Sequence, residues 1–423
     1  MTQNSCSSQP GCSLIPSFCH PLVGDKKHLL PTFLKKWLTK YRRLYKLHFM
    51  KKRNILSYLP IKALKKEGLF EVFGAAAGEI ARYDGMIYNM PYANVLLSPL
   101  MTQEAVLSSR IEGTQSTLDE VYTLETGEAG TESQERDVQE IQNYREALRY
   151  GNVCLKDRGI TLGLVKELHA ILLNSVRGQN KTPGLIRTTQ NWIGARGCSI
   201  EEATYVPPEP TAVEAYLENW EEYMRTGIDH PLILSGILHA QFELIHPFND
   251  GNGRVGRLLI PLILTQKNIL CRPAFYLSEY FERHRSEYAG HLSRLNDDPD
   301  SWQSWIHFFL LAVAYQAGEN NRRATAMVKL HTELKSVVRK LTNSPYGVPL
   351  LDAIFESPIF TKSYMCKRIT DLSSSGLQRM VDVLIKEDVL TVRRPAAGRM
   401  PALYQLREVT RIAEGEPIRY WDY

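Results

Sequence analysis

Two apolar stretches with helical spacing, 232–245 and 258–264, flank a segment through which a single helix cannot run. Pro247 disfavours helical backbone at His246, and Gly251-Asn252-Gly253 supplies three residues tolerant of positive φ. The chain is thereby held to helix, loop, helix. His246 falls at the end of the first helix, and Arg254 and Arg257, three apart, share a face in the first turn of the second.

That arrangement has a chemical bias. Successive backbone N–H groups around the glycines can converge on an anion, and the following helix points its amides and its positive dipole end at the same spot. Cations in a first helical turn oppose the dipole, so two arginines there call for an anionic ligand, and phosphate matches their bidentate forks. Asp250 is a hard oxygen donor suited to Mg²⁺ held by one carboxylate plus substrate phosphates. An imidazole with an ordinary pKa near ~6.5 makes His246 a candidate general base for a hydroxyl.

Composition bounds the setting. The 423 residues carry a net charge of +5, yet residues 26–66 hold 14 Lys and Arg and no acid, while residues 67–423 carry 37 basic and 45 acidic residues. The excess belongs to an N-terminal arm, 1–53, that reads as a basic, disordered extension with an amphipathic pattern over 33–47. Seven cysteines without a Cys-x-x-Cys pair indicate neither a disulfide framework nor a zinc site. With no signal-peptide pattern and no transmembrane run, the expected location is the cytoplasm, and a secreted effector is compatible with the same composition.

Upstream, 54–127 reads as helical. Ser108 and Glu112 stand four apart on one face, with Gly113 as the stop. A carboxylate at a helix C-terminus faces the wrong dipole end and needs a cation. Residues 128–136 read as a loop, followed by helices over 138–150 and 162–176. Residues 188–194 and 204–208 read as two short strands around a turn. Beyond Pro345 three helical segments (350–355, 364–369 and 373–385) precede two strand segments (389–394 and 402–406) around a Pro/Gly-rich turn. This resembles a winged helix, with Ser373–Ser375 capping the recognition helix and Arg393, Arg394 and Arg399 in or beside the wing. DNA binding and protein docking are both open, and the scarcity of Lys and Arg on that helix favours protein.

The stretch His246-Pro247-Phe248-Asn249-Asp250-Gly251-Asn252-Gly253-Arg254-Val255-Gly256-Arg257 resembles the Fic (Fic/Doc) signature at every specified position. The resemblance implies a mainly α fold: a helical core over 128–320 with a β-hairpin flap, an N-terminal helical region over 54–127, and the winged helix over 340–423. It implies a protein adenylyltransferase that moves AMP from ATP, with Mg²⁺, to a Ser, Thr or Tyr hydroxyl of a target protein. In that reading His246 is the base and Asp250 the metal ligand. Gly251, Asn252, Gly253, Arg254, Val255, Gly256 and Arg257 bind the nucleotide, with Tyr288 near the adenine. Ser108 and Glu112 match the inhibitory motif, Glu112 reaching Arg257 in the space of the γ-phosphate, and the same carboxylate is suited to removal of AMP in some relatives. Thr204, Tyr205 and Val206 lie on the flap that registers the target. Self-modification and a homodimer are also within the expectation. The alternatives are transfer of another phosphate-containing group, or a winged-helix DNA regulator whose core senses nucleotide.

Overall fold

The structure is a computed structural model that describes residues 55–416 apart from 63, 175–181, 196, 296–297 and 299. The basic arm lies outside the described residues, as does the end of the expected 162–176 helix. The architecture is mainly helical with a small antiparallel sheet.

At its centre is α8 (Pro231–Ile245), with every residue from Leu232 to Ile245 buried. A helix apolar around its whole circumference belongs inside a bundle, and its few polar groups must find partners there. Trp305 donates its indole N–H to the carbonyl of Gly236 at 3.0 Å, and the Gln241 amide donates to the carbonyl of Ser57 at 3.0 Å. Around α8 pack α7 (Pro210–Thr226), α9 (Asn252–Gln266) and the 42-residue α12 (Ser301–Thr342), which also runs along α1 (Phe70–Tyr88).

The helix that carries Ser108 is α3 (Ser98–Ile111), joined to α1 through the short α2 (Ala93–Leu96). Glu112 is its C-cap and Gly113 follows at φ +104°, where a residue with a Cβ would be strained. Next come α4 (Leu118–Glu125), α5 (Glu132–Asp157) and α6 (Leu162–Leu172). The expected 128–136 loop is shorter than its composition suggests. Thr131 caps α5 by accepting from the Gln134 N–H while Gln134 reaches back to the Thr131 N–H. The Glu and Ser residues that read as loop form the first turn of that helix.

Tyr288 lies on the second of two short helices, α10 (Ser278–Arg283) and α11 (Arg285–Arg294), which are separated at His284. After α12 come α13 (Gly347–Glu356), β1 (Ile359–Thr361), α14 (Lys362–Arg368), α15 (Ser374–Lys386), β2 (Thr391–Arg394), β3 (Leu403–Gln405) and α16 (Arg407–Glu414). The sheet order is β1-β3-β2, antiparallel throughout, with a bulge between Val392 and Arg394. These helices and strands follow one another in the order expected of a winged helix, and Ser373 caps α15 by accepting from the Gly376 N–H at 3.1 Å. α13 and α16 pack on α3, and β1 packs on α4.

Candidate active site

The loop between α8 and α9 is built by side chains that serve the backbone. His246 closes α8 in the left-handed region at φ 49°, a conformation costly for a residue with a Cβ and therefore one the surroundings must impose. They do so through Arg187, whose side chain is buried under the loop. It donates from Nε to the His246 carbonyl at 2.8 Å and from Nη2 to the Pro208 carbonyl at 2.6 Å, while its N–H donates to the Pro247 carbonyl at 2.9 Å. Burial pulls this guanidinium down to about 10. Asn252 adds a reciprocal pair, accepting the Phe248 N–H and donating to the Phe248 carbonyl, both at 2.8 Å.

His169 on α6 completes the frame. Its Nδ1 accepts the Gly184 N–H at 2.8 Å, so Nε2 carries the proton and donates to the Asp250 carbonyl at 3.0 Å. The ring stacks on Phe248 at 3.7 Å, and burial lowers its pKa to about 4, which keeps it neutral. Asp250 is thus fixed by its backbone. Its carboxylate, about two-fifths exposed, accepts the Gly251 N–H at 2.7 Å and stands 3.8 Å from Arg254.

His246 is half-buried, and its Nδ1 lies 3.3 Å from the Glu243 carbonyl. Donation from Nδ1 to that carbonyl leaves the Nε2 lone pair free to take a proton. Burial holds its pKa down at about 4, with the Glu243 carbonyl and the Glu112 and Asp250 carboxylates pulling upward and Arg187 downward. The imidazole is therefore neutral at neutral pH.

The three-residue nest of positive φ reduces to one residue. Gly251 alone of the three takes positive φ, at 76°, and is the N-cap of α9; Asn252 and Gly253 are already helical. Gly253 leaves room for the pair above it: a Cβ there would meet the Glu112 carboxylate and lie 2.9 Å from Arg257, so those side-chain ends would have to shift. Gly256 likewise sits under the Glu243 carboxylate, which burial raises to about 7.

Both signature arginines are buried and paired. Arg257 donates from Nε to the Ser108 hydroxyl at 2.9 Å, and from Nη2 to the Ser108 carbonyl at 2.9 Å and to Glu112 Oε1 at 2.6 Å. Burial alone would raise the Glu112 pKa, but Arg257 overrides it and holds the carboxyl below its ordinary value. A carboxylate thus occupies the anion position at the N-terminus of α9, reached from α3. Arg254 donates from Nη1 to Glu140 on α5 at 2.8 Å, and its Nε has no protein partner. Val255 is fully buried in the core.

Tyr288 lies behind Arg257. Its ring stacks on Phe281 at 4.4 Å and its hydroxyl is 2.9 Å from His239 Nε2, in a site where burial raises its pKa. The flap is slighter than two strands. A single antiparallel bridge joins Ile193 to Tyr205, with the Ile193 N–H donating to the Tyr205 carbonyl at 2.8 Å. Thr204 is exposed, Val206 half-buried, and Tyr205 buried with its hydroxyl donating to the Leu244 carbonyl at 2.7 Å. The flap is tied to the loop by the same Arg187, through Pro208.

The sequence brings no attention to Arg187, His169 or Glu140. The one signal available for Arg187 is the turn at Pro183-Gly184 just before it. For the other two the partners are 81 and 114 positions away, and no spacing rule connects them.

Comparison with known proteins bears on this geometry. The model of the Fic/DOC family N-terminal region matches residues 70–152, which include α3 and Glu112. The Fic/DOC family model matches residues 159–264, which include His246, the loop and both arginines. Residues 70–152 and 159–264 are thus similar to Fic/DOC family proteins. The C-terminal helices and sheet, 347–414, lie outside both matches. A protein adenylyltransferase Fic of Nematostella vectensis is 30% identical over 163 residues, covering 37% of this chain and 36% of that protein. A probable protein adenylyltransferase of Aquifex aeolicus is 28% identical over 177 residues, covering 41% of this chain and 51% of that protein. The chain thus spans between about a third and a half of the length of these curated relatives. The crystal structure of a Fic family protein from Desulfovibrio desulfuricans G20 shares the fold, with a TM-score of 0.53 at 19% identity over 82% of this chain and 98% of that one.

Proposed function

We propose that this protein is an adenylyltransferase that moves AMP from ATP to a Ser, Thr or Tyr hydroxyl of a target protein, and that Glu112 holds it inhibited. The observation that carries the reading is the seat of the Glu112 carboxylate, over Gly253 at the start of α9 and on the guanidinium of Arg257. An anion already occupies the place that helix amides and arginine make favourable for phosphate.

The chemistry follows from the neutral imidazole. His246 Nε2 takes the proton of the target hydroxyl, the oxygen bonds to the α-phosphorus of ATP, and the bond from that phosphorus to the bridging oxygen breaks, releasing pyrophosphate. The amides at the head of α9 and Arg254 offer preorganised donors to the charge that develops, an effect worth roughly 3–4 kcal/mol per donor in comparable sites. Arg257 takes the γ-phosphate once Glu112 has left. Asp250, a part-exposed hard oxygen at the lip of the loop, suits Mg²⁺ shared with the substrate phosphates, where the ion would neutralise charge on the leaving group. Among the described residues no group of three or more His, Cys, Asp or Glu is placed to hold a metal.

The wing arginines speak to the second reading. Arg394 donates to Glu128 at 2.6 Å and Arg393 to Asp119, both acids of this chain. Guanidinium groups so paired are poor contacts for a DNA backbone, which favours a protein-docking role for the winged helix. Among the described residues no helix is long and apolar enough to cross a membrane.

Label position separates AMP transfer from the alternatives. A Glu112→Gly chain incubated with ATP labelled at the α-phosphate should acquire label on protein, and with ATP labelled at the γ-phosphate should not. Label from the γ-position alone would assign phosphate transfer instead.

The pH profile tests the base. Because the His246 pKa lies near 4 in the free protein, the neutral form persists through mildly acidic pH. Removing Glu112 takes away one of the groups that raise this pKa, so the shift keeps its sign in the active variant. The acid limb of kcat/KM for Glu112→Gly should therefore fall below about pH 5, since kcat/KM reports the free enzyme's base. A limb at or above the ordinary imidazole value, about 6.5, would remove His246 from that role.

A further inference from the structure

Glu104, Ser108 and Glu112 are spaced four apart along α3, so the stripe that meets the arginine extends one turn further back than the Ser108–Glu112 pair. Glu104 is buried, at 5% exposure, and makes contacts as directed as those of Glu112. It accepts the Ser278 hydroxyl on Oε1 at 2.5 Å and the Ser278 N–H on Oε2 at 3.0 Å, and Tyr144 of α5 donates to Oε1 at 3.3 Å. Ser278 is the first residue of α10, so this carboxylate joins α3 to a second helix start.

We propose that Glu104 is a positioning residue for inhibition: through Ser278 it seats α3 at the height and rotation that bring Glu112 onto Arg257. The proposal rests on the reading of Glu112 as the inhibitory carboxylate. The physical argument is one of lever and anchor. Glu112 stands at the very end of α3, with its side chain about two-fifths exposed, and a helix end frays unless something upstream fixes the helix. Ser108 and the Arg285 side chain, which donates to the Ile111 carbonyl at 2.5 Å, hold the last turn. Glu104 is the buried polar contact two turns before Glu112, and its hydrogen bonds run to Ser278 and Tyr144, on elements other than α9. An anchor there fixes the helix independently of whether Arg257 is bound to a carboxylate or to a phosphate. Nothing in the proposed transfer passes through Glu104, which therefore acts on the reaction through Glu112 alone.

The dependence on Glu112 is the test. Auto-labelling from α-labelled ATP is compared in four chains: the natural sequence, Ser278→Ala, Glu112→Gly and the double variant. Ser278→Ala should raise labelling about five- to tenfold when Glu112 is present, the factor expected from losing one buried hydrogen bond. It should change labelling less than about twofold when Glu112 is already absent, because coupled residues are not additive. An equal rise in both backgrounds, or no rise in either, would overturn the proposal. Hydrogen exchange of 98–113 gives a readout independent of chemistry: both Ser278→Ala and Glu104→Gln should speed it, and unchanged protection would count against the anchor. If Glu112→Gly fails to label at all, the inhibitory reading fails by itself while the exchange result still decides whether Glu104 anchors α3. Loss of folding in both variants would assign Glu104 to core stability and reject the proposal.

Discussion

Replacing His246 by Ala in a chain that also carries Glu112→Gly is expected to lower AMP transfer by about 10³-fold, within the range that general-base catalysis contributes. The size follows from what the rest of the site cannot do. In the proposed mechanism Arg254, Arg257 and the α9 amides stabilise phosphate charge, but none of these groups accepts a proton near neutral pH. Without the imidazole the attacking hydroxyl must lose its proton to water. ATP binding should change little, because in the proposed mechanism His246 meets the incoming hydroxyl and the arginines meet the phosphates. The check is a paired measurement of labelling rate and nucleotide affinity. A variant that labels undiminished removes the general base, and one that loses affinity in proportion to rate shows that His246 serves binding.

The second large effect is the release of inhibition. Glu112→Gly removes the carboxylate from Arg257 and clears the space over Gly253, so labelling should rise roughly 10- to 100-fold over the natural sequence. That factor corresponds to about 1.4–2.7 kcal/mol of competition between one carboxylate and one phosphate for the same guanidinium. Stability should fall modestly, by about 1–2 kcal/mol, intermediate between an exposed and a buried ion pair. The fall is limited because Arg257 keeps both contacts to Ser108. If Glu112 also orients a water for removal of AMP, the same variant will fail to release AMP from a modified target.

Legibility in the sequence divided along a physical line. The helix–loop–helix around His246 could be read because Pro247 and the glycines restrict backbone locally, and the need of Glu112 for a cation because it ends a helix; that the cation is Arg257 came only from the resemblance to the inhibitory motif. The three helical segments and two strands beyond Pro345 were equally legible from periodicity and turn residues. What stayed hidden acts at long range. Arg187 bonds backbone carbonyls, and a carbonyl carries no residue identity for a pattern to detect. Glu140 and Glu104 read as ordinary helical carboxylates until folding sets them against Arg254 and Ser278. Local composition misled at residues 128–136, where a capping box turned polar residues into a helix start, and at the glycines, where Gly253 and Gly256 take helical φ and instead make room for neighbouring carboxylates.

Those glycines return the question to one spot at the head of α9, where a carboxylate rests and a phosphate is proposed to bind. Intact-protein mass spectrometry of the Glu112→Gly chain after incubation with ATP and Mg²⁺ tests that proposal most directly. The expected result is an added mass equal to AMP, strong in the variant and faint in the natural sequence. Absence of that mass in both proteins and in every protein of a supplemented lysate would contradict the account.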